Sequence, residues 1–170
     1  MQIRSAITSD AHAIAEIHVL AWQAAYRDFV PSEYLVSLSI AKRERTWAAT
    51  IAAGRPHVLV ADSGSDLLGW VAFDRSRDID AQESTGELWG IYVSPGSVGK
   101  GVGRELWLCA RSELSSRGCR SATLWVLAQN ERACQFYAKA GFSPEPESAK
   151  TIIRGGVSLV ELRYACSLAI

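Results

Sequence analysis

The sequence predicts a mixed α/β domain built on one central sheet, mostly antiparallel with a single parallel pair. Three observations predict it. Stretches with strand-like and helix-like spacing of apolar residues follow one another in the order strand, two helices, three strands, helix, strand, helix, two strands. Residues 86–128 read as strand, glycine-rich loop, helix and strand, a βαβ unit whose strands run parallel and are joined by a right-handed crossover. Hairpin signals flank that unit, "SGSD" before it and "GG" after it, so the neighbouring strands pair antiparallel. The count comes to about seven strands and about four helices in a single domain over residues 1–170.

Each element has its own justification. "QIRSAI" alternates weakly and reads as the first strand. In "TSDAHAIAEIHVLAWQAAY", Thr8 or Asp10 is placed as an N-cap, and Ile14, Ile17, Ala21 and Ala25 recur at helical spacing. Pro31 opens a second helical stretch that "AKRERTWAATIAAG" continues to Gly54, a natural C-terminal stop. "HVLVAD" and "LLGWVAFDR" are strands, and "GELWGIYV" is a third with Gly90 inside it, the mark of a bulge. Val102, Leu106, Cys109, Ala110 and Leu114 share one face of a helix that Gly118 ends. "ATLWVLA" is continuously apolar, as a strand buried on both faces should be. Asn130 caps "ERACQFYAKA", Gly141 stops it, and "KTIIR", "GG" and "VSLVELRYA" form a closing hairpin.

Composition excludes several function classes. Lys plus Arg equals Asp plus Glu, 18 against 18, which argues against non-specific nucleic-acid binding, though a local basic pocket stays open. No apolar run approaches the ~20 residues that span a bilayer, and the N-terminus has no signal-peptide layout. The expectation is a soluble, cytoplasmic protein with neither nucleic-acid nor membrane partner. The four cysteines form no CxxC pair and read as reduced, half-buried small residues. No His/Asp/Glu cluster has metal-ligand spacing, and no strained elbow motif supports a serine nucleophile. His12 and His57 read as surface or strand-edge residues.

The most informative stretch is "VSPGSVGKGVGREL", residues 93–106, where glycines crowd the mouth of a helix. A helix N-terminus offers unpaired N–H groups and about half a positive charge, and glycines let a phosphate approach them. Two familiar phosphate loops fail here. GxxxxGK[ST] fails because Gly101 follows Lys100 and Ser94 stands five residues before Gly99; GxGxxG fails because Leu106 and Arg104 stand where its last glycine is needed.

This stretch resembles the acyl-CoA-binding motif of the GNAT superfamily of N-acyltransferases. The motif is Arg or Gln, two residues, Gly, one residue, then Gly or Ala, and it falls on Val98, Gly99, Lys100, Gly101, Val102 and Gly103. A second signature, Asn followed by a short helix ending in Tyr-x-x-x-Gly-Phe, is matched by "NERACQFYAKAGF", residues 130–142. The element order matches from end to end, so the resemblance covers nearly the whole chain and implies the GNAT fold with a splayed parallel pair. Val98 departs from the usual Arg or Gln. The resemblance implies that the loop holds the CoA pyrophosphate mainly through backbone N–H groups, and Lys100 and Arg104 are placed to add positive charge.

The implied activity is transfer of an acetyl group from acetyl-CoA, used as co-substrate without a metal, to a primary amine by direct attack in a ternary complex. An alkylamine of pKa ~10 must lose a proton, the thioester oxygen needs hydrogen-bond donors, and the departing thiolate needs a proton. Glu87 stands on the strand at the family's spacing for the general base, with Glu83 as the fallback; the alternative is a carboxylate ion-paired to a neighbouring strand. The bulge at Gly90 is expected to turn the Ile91 N–H toward the thioester oxygen, and the resemblance places Ile91, Tyr92 and Val93 along the pantetheine arm. Tyr137 matches the tyrosine near the CoA sulfur, and Asn130 combines capping with a contact to the pantetheine. His18, Trp22 and Tyr26 form one stripe on the first helix. Trp22, Tyr26 and Phe29 either line the amine pocket by cation–π contact or simply pack. The acceptor ranges from a small-molecule amine or amino-acid derivative to an antibiotic or a peptide N-terminus. The neutral net charge argues weakly against a strongly cationic acceptor. A homodimer stays open. Two rivals remain: a non-catalytic acetyl-CoA-binding sensory module on the same fold, and a structural protein whose glycine loop is only a turn.

Overall fold

The computed structural model describes residues 1–169. Seven strands form one sheet: β1 (Gln2–Ser5), β2 (His57–Asp62), β3 (Leu67–Arg75), β4 (Thr85–Val93), β5 (Ser121–Leu127), β6 (Ser143–Arg154) and β7 (Val157–Ser167). Their order is β1-β2-β3-β4-β5-β7-β6. Every adjacent pair is antiparallel except β4 and β5, which run parallel as the βαβ reading requires. The helices are α1 (Ala11–Tyr26), α2 (Ser32–Val36), α3 (Ile40–Ala53), α4 (Val102–Ser116) and α5 (Glu131–Lys139).

Helices cover both faces of the sheet. On one face α4 buries Val102, Leu106, Trp107, Ala110 and Leu114 against Val71, Phe73, Leu88, Ala122 and Leu124, and Tyr137 and Phe142 close this core around α5. On the other face Ile14 and Ile17 of α1 pack on Val58, Val60, Trp70 and Ala72. A third cluster joins the end of α1 to α2 and to the far strands through Tyr26, Val30, Leu35, Leu127 and Leu159. Burying each of these larger side chains is worth about 1.5–3 kcal/mol, so the two covered faces supply most of the stability.

Three boundaries differ from expectation. The helical stretch after Pro31 is broken into α2 and α3, because Ser39 takes an extended conformation and its side chain accepts from the Lys42 N–H at 3.2 Å, starting a new helix. Asp10 precedes α1 but does not cap it; its carboxylate accepts from the Ile7 N–H at 2.8 Å and pairs with Arg4. The last hairpin starts seven residues early, at Ser143 rather than Lys150, and its ladder breaks between Glu145 and Lys150. Prolines 144 and 146 obscured that strand; β6 lies at the sheet edge, where a missing N–H is tolerated.

Candidate active site

The site is built around the place where the parallel ladder stops. β4 and β5 pair from Thr85–Ser121 to Leu88–Leu124. β4 then runs on to Val93 and β5 to Leu127 without pairing to each other, which opens a fork in the sheet. On its other edge β4 stays bonded to β3, with Leu88 opposite Phe73 and Gly90 opposite Ala72, so Trp89 is the extra residue of a bulge. The bulge is therefore one residue earlier than the glycine that signalled it. Gly90 is needed for room, since a Cβ there would come 2.9 Å from Cε2 of Tyr92.

Backbone alternation fixes what faces the fork. The Ser94 N–H bonds the Leu68 carbonyl at 2.9 Å in the same register. Tyr92 and Gly90, spaced by two from it, likewise bond toward β3, so Ile91 and Val93 turn their N–H and C=O groups toward the gap. These are the groups expected to face the pantetheine arm.

At the open end, β4 leads through a one-turn 3-10 segment, Pro95–Ser97, into the glycine loop and α4. Gly99 and Gly101 have φ of +81° and +85°, and a Cβ on either would meet nothing within 4 Å. Both hold left-handed backbone beside open space. Among the described residues, the N–H groups of Val98, Gly99, Gly101, Val102, Gly103 and Arg104 have no hydrogen-bond partner. Unpaired donors at a helix N-terminus beside open space fit the diphosphate of an acyl-CoA. Val98, where the family motif has Arg or Gln, offers a backbone N–H but no side-chain donor. Gly103 differs from them: a Cβ there would rest 3.4 Å from Phe136 and 3.6 Å from Val93, ordinary contact distances, so the first turn of α4 packs on these two side chains. Lys100 is exposed, whereas the Arg104 guanidinium, also exposed, is engaged by Glu105 at 2.9 Å.

Glu87 lies on the paired half of β4, 2 % exposed. Oε2 accepts from the Arg77 N–H at 2.9 Å and from its Nε at 3.1 Å, and Oε1 pairs with Nη2 of the same arginine. The carboxylate is thus both buried and ion-paired. Arg77 is the partner that sequence reading missed: it lies in an irregular loop after β3 with no motif around it, and its guanidinium also covers the Trp89 ring at 3.7 Å. Glu83, the fallback, is exposed in the turn before β4 and meets Arg75 only through its carbonyl, so it lies outside the fork.

Tyr137 is 8 % exposed and packs on Phe136 and Phe142. Burial pushes its phenol well above the ordinary value, and the nearby Tyr92 and Tyr26 hydroxyls push the same way. It stays a neutral O–H donor at any working pH. Asn130 caps α5, with Oδ1 accepting from the Ala133 N–H at 3.1 Å, and its side chain lies at the Tyr26 hydroxyl. The Trp22 indole N–H donates to the Tyr92 hydroxyl at 3.0 Å. Trp22, Tyr26 and Phe29 form a chain of edge-to-face contacts at 4.6 and 5.5 Å. Tyr26 itself is buried core, and the cation above Trp22 is Arg43 of the same chain. His18 sits among Trp47, Trp70 and Tyr92, accepting from the Trp47 indole at 3.3 Å.

The acetyltransferase (GNAT) family model matches residues 12–142. The uncharacterized N-acetyltransferase YuaI of Bacillus subtilis is 30% identical over 161 residues, covering 94% of this chain and 89% of its own. Among solved structures, PaiA N-acetyltransferase from Thermoplasma acidophilum in complex with coenzyme A superposes with a TM-score of 0.76 at 22% identity, over 95% of this chain and 96% of that one. YncA from Salmonella typhimurium, solved with its cofactor acetyl-CoA, gives 0.75 at 23% identity, over 100% and 95%. With glycine-loop amides unpaired at the head of α4 and a fork in the sheet beside them, the chain belongs to the GNAT family of acetyltransferases.

Proposed function

We propose that the chain moves an acetyl group from acetyl-CoA to a primary amine by direct attack in a ternary complex. The observation that carries this reading is the fork, with the backbone of Ile91 and Val93 turned into it on the strand that leads into the unpaired amides of the glycine loop. Acetyl-CoA, when bound, supplies a thioester carbonyl for the amine and a thiolate to depart. The loop amides hold the diphosphate, and Ile91 and Val93 bond the arm as a substitute strand. The Ile91 N–H, just past the bulge, stabilises charge on the carbonyl oxygen.

Glu87 receives the amine proton through a water. Three Arg77 donors occupy its oxygens, and a carboxylate has about four lone-pair sites, so roughly one remains for that water. Arg77 then holds the carboxylate in place while the proton passes on to solvent. Tyr137 donates a hydrogen bond to the departing sulfur. Its raised pKa makes it a poor full proton donor, so the thiolate is stabilised first and takes its proton late. Trp22 and Phe29 wall the acceptor side.

An acetyl-CoA assay over a panel of amines, read by released thiol, tests the reaction. Turnover is expected, falling roughly a hundredfold in Glu87→Gln and roughly tenfold in Tyr137→Phe, with CoA affinity little changed in both. Loss of CoA binding in either variant would remove that residue from the chemistry, and tight acetyl-CoA binding without turnover on any amine would make the chain a binding module.

A further inference from the structure

The fork opens on two faces of the sheet, and the face away from α4 carries an aromatic and charged cluster that the roles above do not use. Leu124 and Val126 of β5 point into the α4 core, so Trp125 between them points to the other face, one residue past the last pair of the ladder. Glu161 of β7 stands opposite Leu127, on the same face as Trp125. Lys150 of β6 stands opposite Glu161 in turn. Its ammonium lies 3.4 Å from the centroid of the Trp125 ring and 3.6 Å from the Glu161 carboxylate. A primary ammonium supplied by the chain itself thus occupies an aromatic-and-carboxylate cage beside the fork.

The cage is built, and its occupant is loosely held. The Trp125 indole N–H donates to Asp78 at 3.0 Å, which sets the ring plane. Arg163 takes up Asp78, Asp80 and Glu145, leaving Glu161 to Lys150 alone. Lys150 has a 46% exposed side chain and a 3.6 Å pairing, and it sits where β6 rejoins its ladder after the break from Glu145. An exposed pair of this kind contributes little, so a ligand cation that brings its own contacts can displace it. The charge of Glu161 also reaches the Tyr26 and Tyr92 hydroxyls, which places the cage within range of the fork.

We propose that Trp125 and Glu161 form a subsite for a second, non-reacting cation of the acceptor, so that the preferred acceptor carries two basic nitrogens. This rests on the transferase reading and narrows its substrate class. A carboxylate and a ring face both favour the charged form of an amine, which opposes the proton loss that attack requires. The nitrogen held in the cage is therefore not the nucleophile; the nucleophile is the amine nearer Glu87. The zero net charge of the chain argued weakly against a cationic acceptor, but net charge averages over the whole surface.

Steady-state kinetics with saturating acetyl-CoA should compare 1,4-diaminobutane with n-butylamine. The diamine is expected to have a kcat/KM at least about tenfold higher, carried by KM, the size of one cation–π and carboxylate contact. Glu161→Gln and Trp125→Leu should each erase most of that ratio. Lys150→Met removes the nearer cation and leaves only the Arg163 guanidinium, 5.9 Å from the ring centroid and held by three carboxylates, so it should raise the ratio severalfold. Equal efficiency for the two amines in both the parent and Lys150→Met would overturn the subsite, as would a Glu161→Gln variant that loses both amines in equal proportion. Turnover of neither amine while another amine of the panel is acetylated would overturn the subsite alone; turnover of no amine by a protein that still binds acetyl-CoA would remove the transferase reading, and the subsite with it.

Discussion

From Thr85 to Leu88, β4 is bonded on both edges and its residues are buried; from Trp89 to Val93 only β3 holds it. The lower half behaves as ordinary core. Gly86 packs under Leu114, Leu88 fills the α4 side, and Glu87 is tolerated there because Arg77 satisfies it. The upper half has the same strand geometry but leaves the polar edge groups of Ile91 and Val93 without a neighbouring strand. Bulge and fork coincide: the extra residue at Trp89 falls where the ladder with β5 ends. A strand that loses one partner halfway along keeps a rigid backbone on one side and offers free hydrogen-bonding groups on the other. A binding site made of main chain needs both.

The contrast can be broken at either end. The largest effect is expected at the open end. Gly101→Asp puts a carboxylate and a strained side chain beside the phosphate amides and should weaken CoA binding roughly a hundredfold by calorimetry, leaving the fold intact. Gly101→Ala, with strain but no charge, should cost less. Unchanged affinity in the aspartate variant would mean the diphosphate lies elsewhere.

Next comes the aromatic support of the upper half. Burial, with Arg43 adding to it, pushes the His18 imidazole down to about 3, while the unfolded chain keeps the ordinary value near 6.5. Below pH 6.5 the unfolded state therefore binds a proton that the folded state refuses. Stability is full above that pH and is lost as pH falls, by about 1.4 kcal/mol per unit, or ~2 kcal/mol between pH 7 and 5. His18→Phe should flatten that slope in urea unfolding. Comparing variant with parent separates His18 from His12, which Glu44 shifts upward, and His57, which burial shifts downward. An identical slope in both would refute the assignment.

The smallest effect is expected at the closed end. A Cβ on Gly86 would come 2.7 Å from Cδ2 of Leu114 and 3.4 Å from Sγ of Cys119. Gly86→Ala should cost about 1–2 kcal/mol of stability through overpacking, seen as a lower urea midpoint, while CoA affinity is retained. A variant that loses coenzyme without losing stability would show that the two halves do not divide the work as described.

Much of the fold was legible in the sequence because it is written in local patterns. Alternation, helical spacing and the βαβ order were enough for the seven strands and the parallel pair, and the glycine run marked the left-handed turn into α4. Boundaries were lost where local signals misled, as at Pro144 and Pro146, which hid an edge strand, and at Ser39, whose cap split one expected helix into two.

By itself, the sequence determined what depends on near neighbours: which segments form helices and strands, and where backbone without Cβ sits. Only the tertiary structure decided what depends on distant ones. Glu87 meets Arg77 through a loop, Tyr137 packs on Phe142 from beyond its own helix, and Lys150 reaches Trp125 from another strand. The physical reason is that periodicity records which face a residue turns to, while ionisation and recognition depend on the groups that the fold brings opposite it, and no local pattern encodes them.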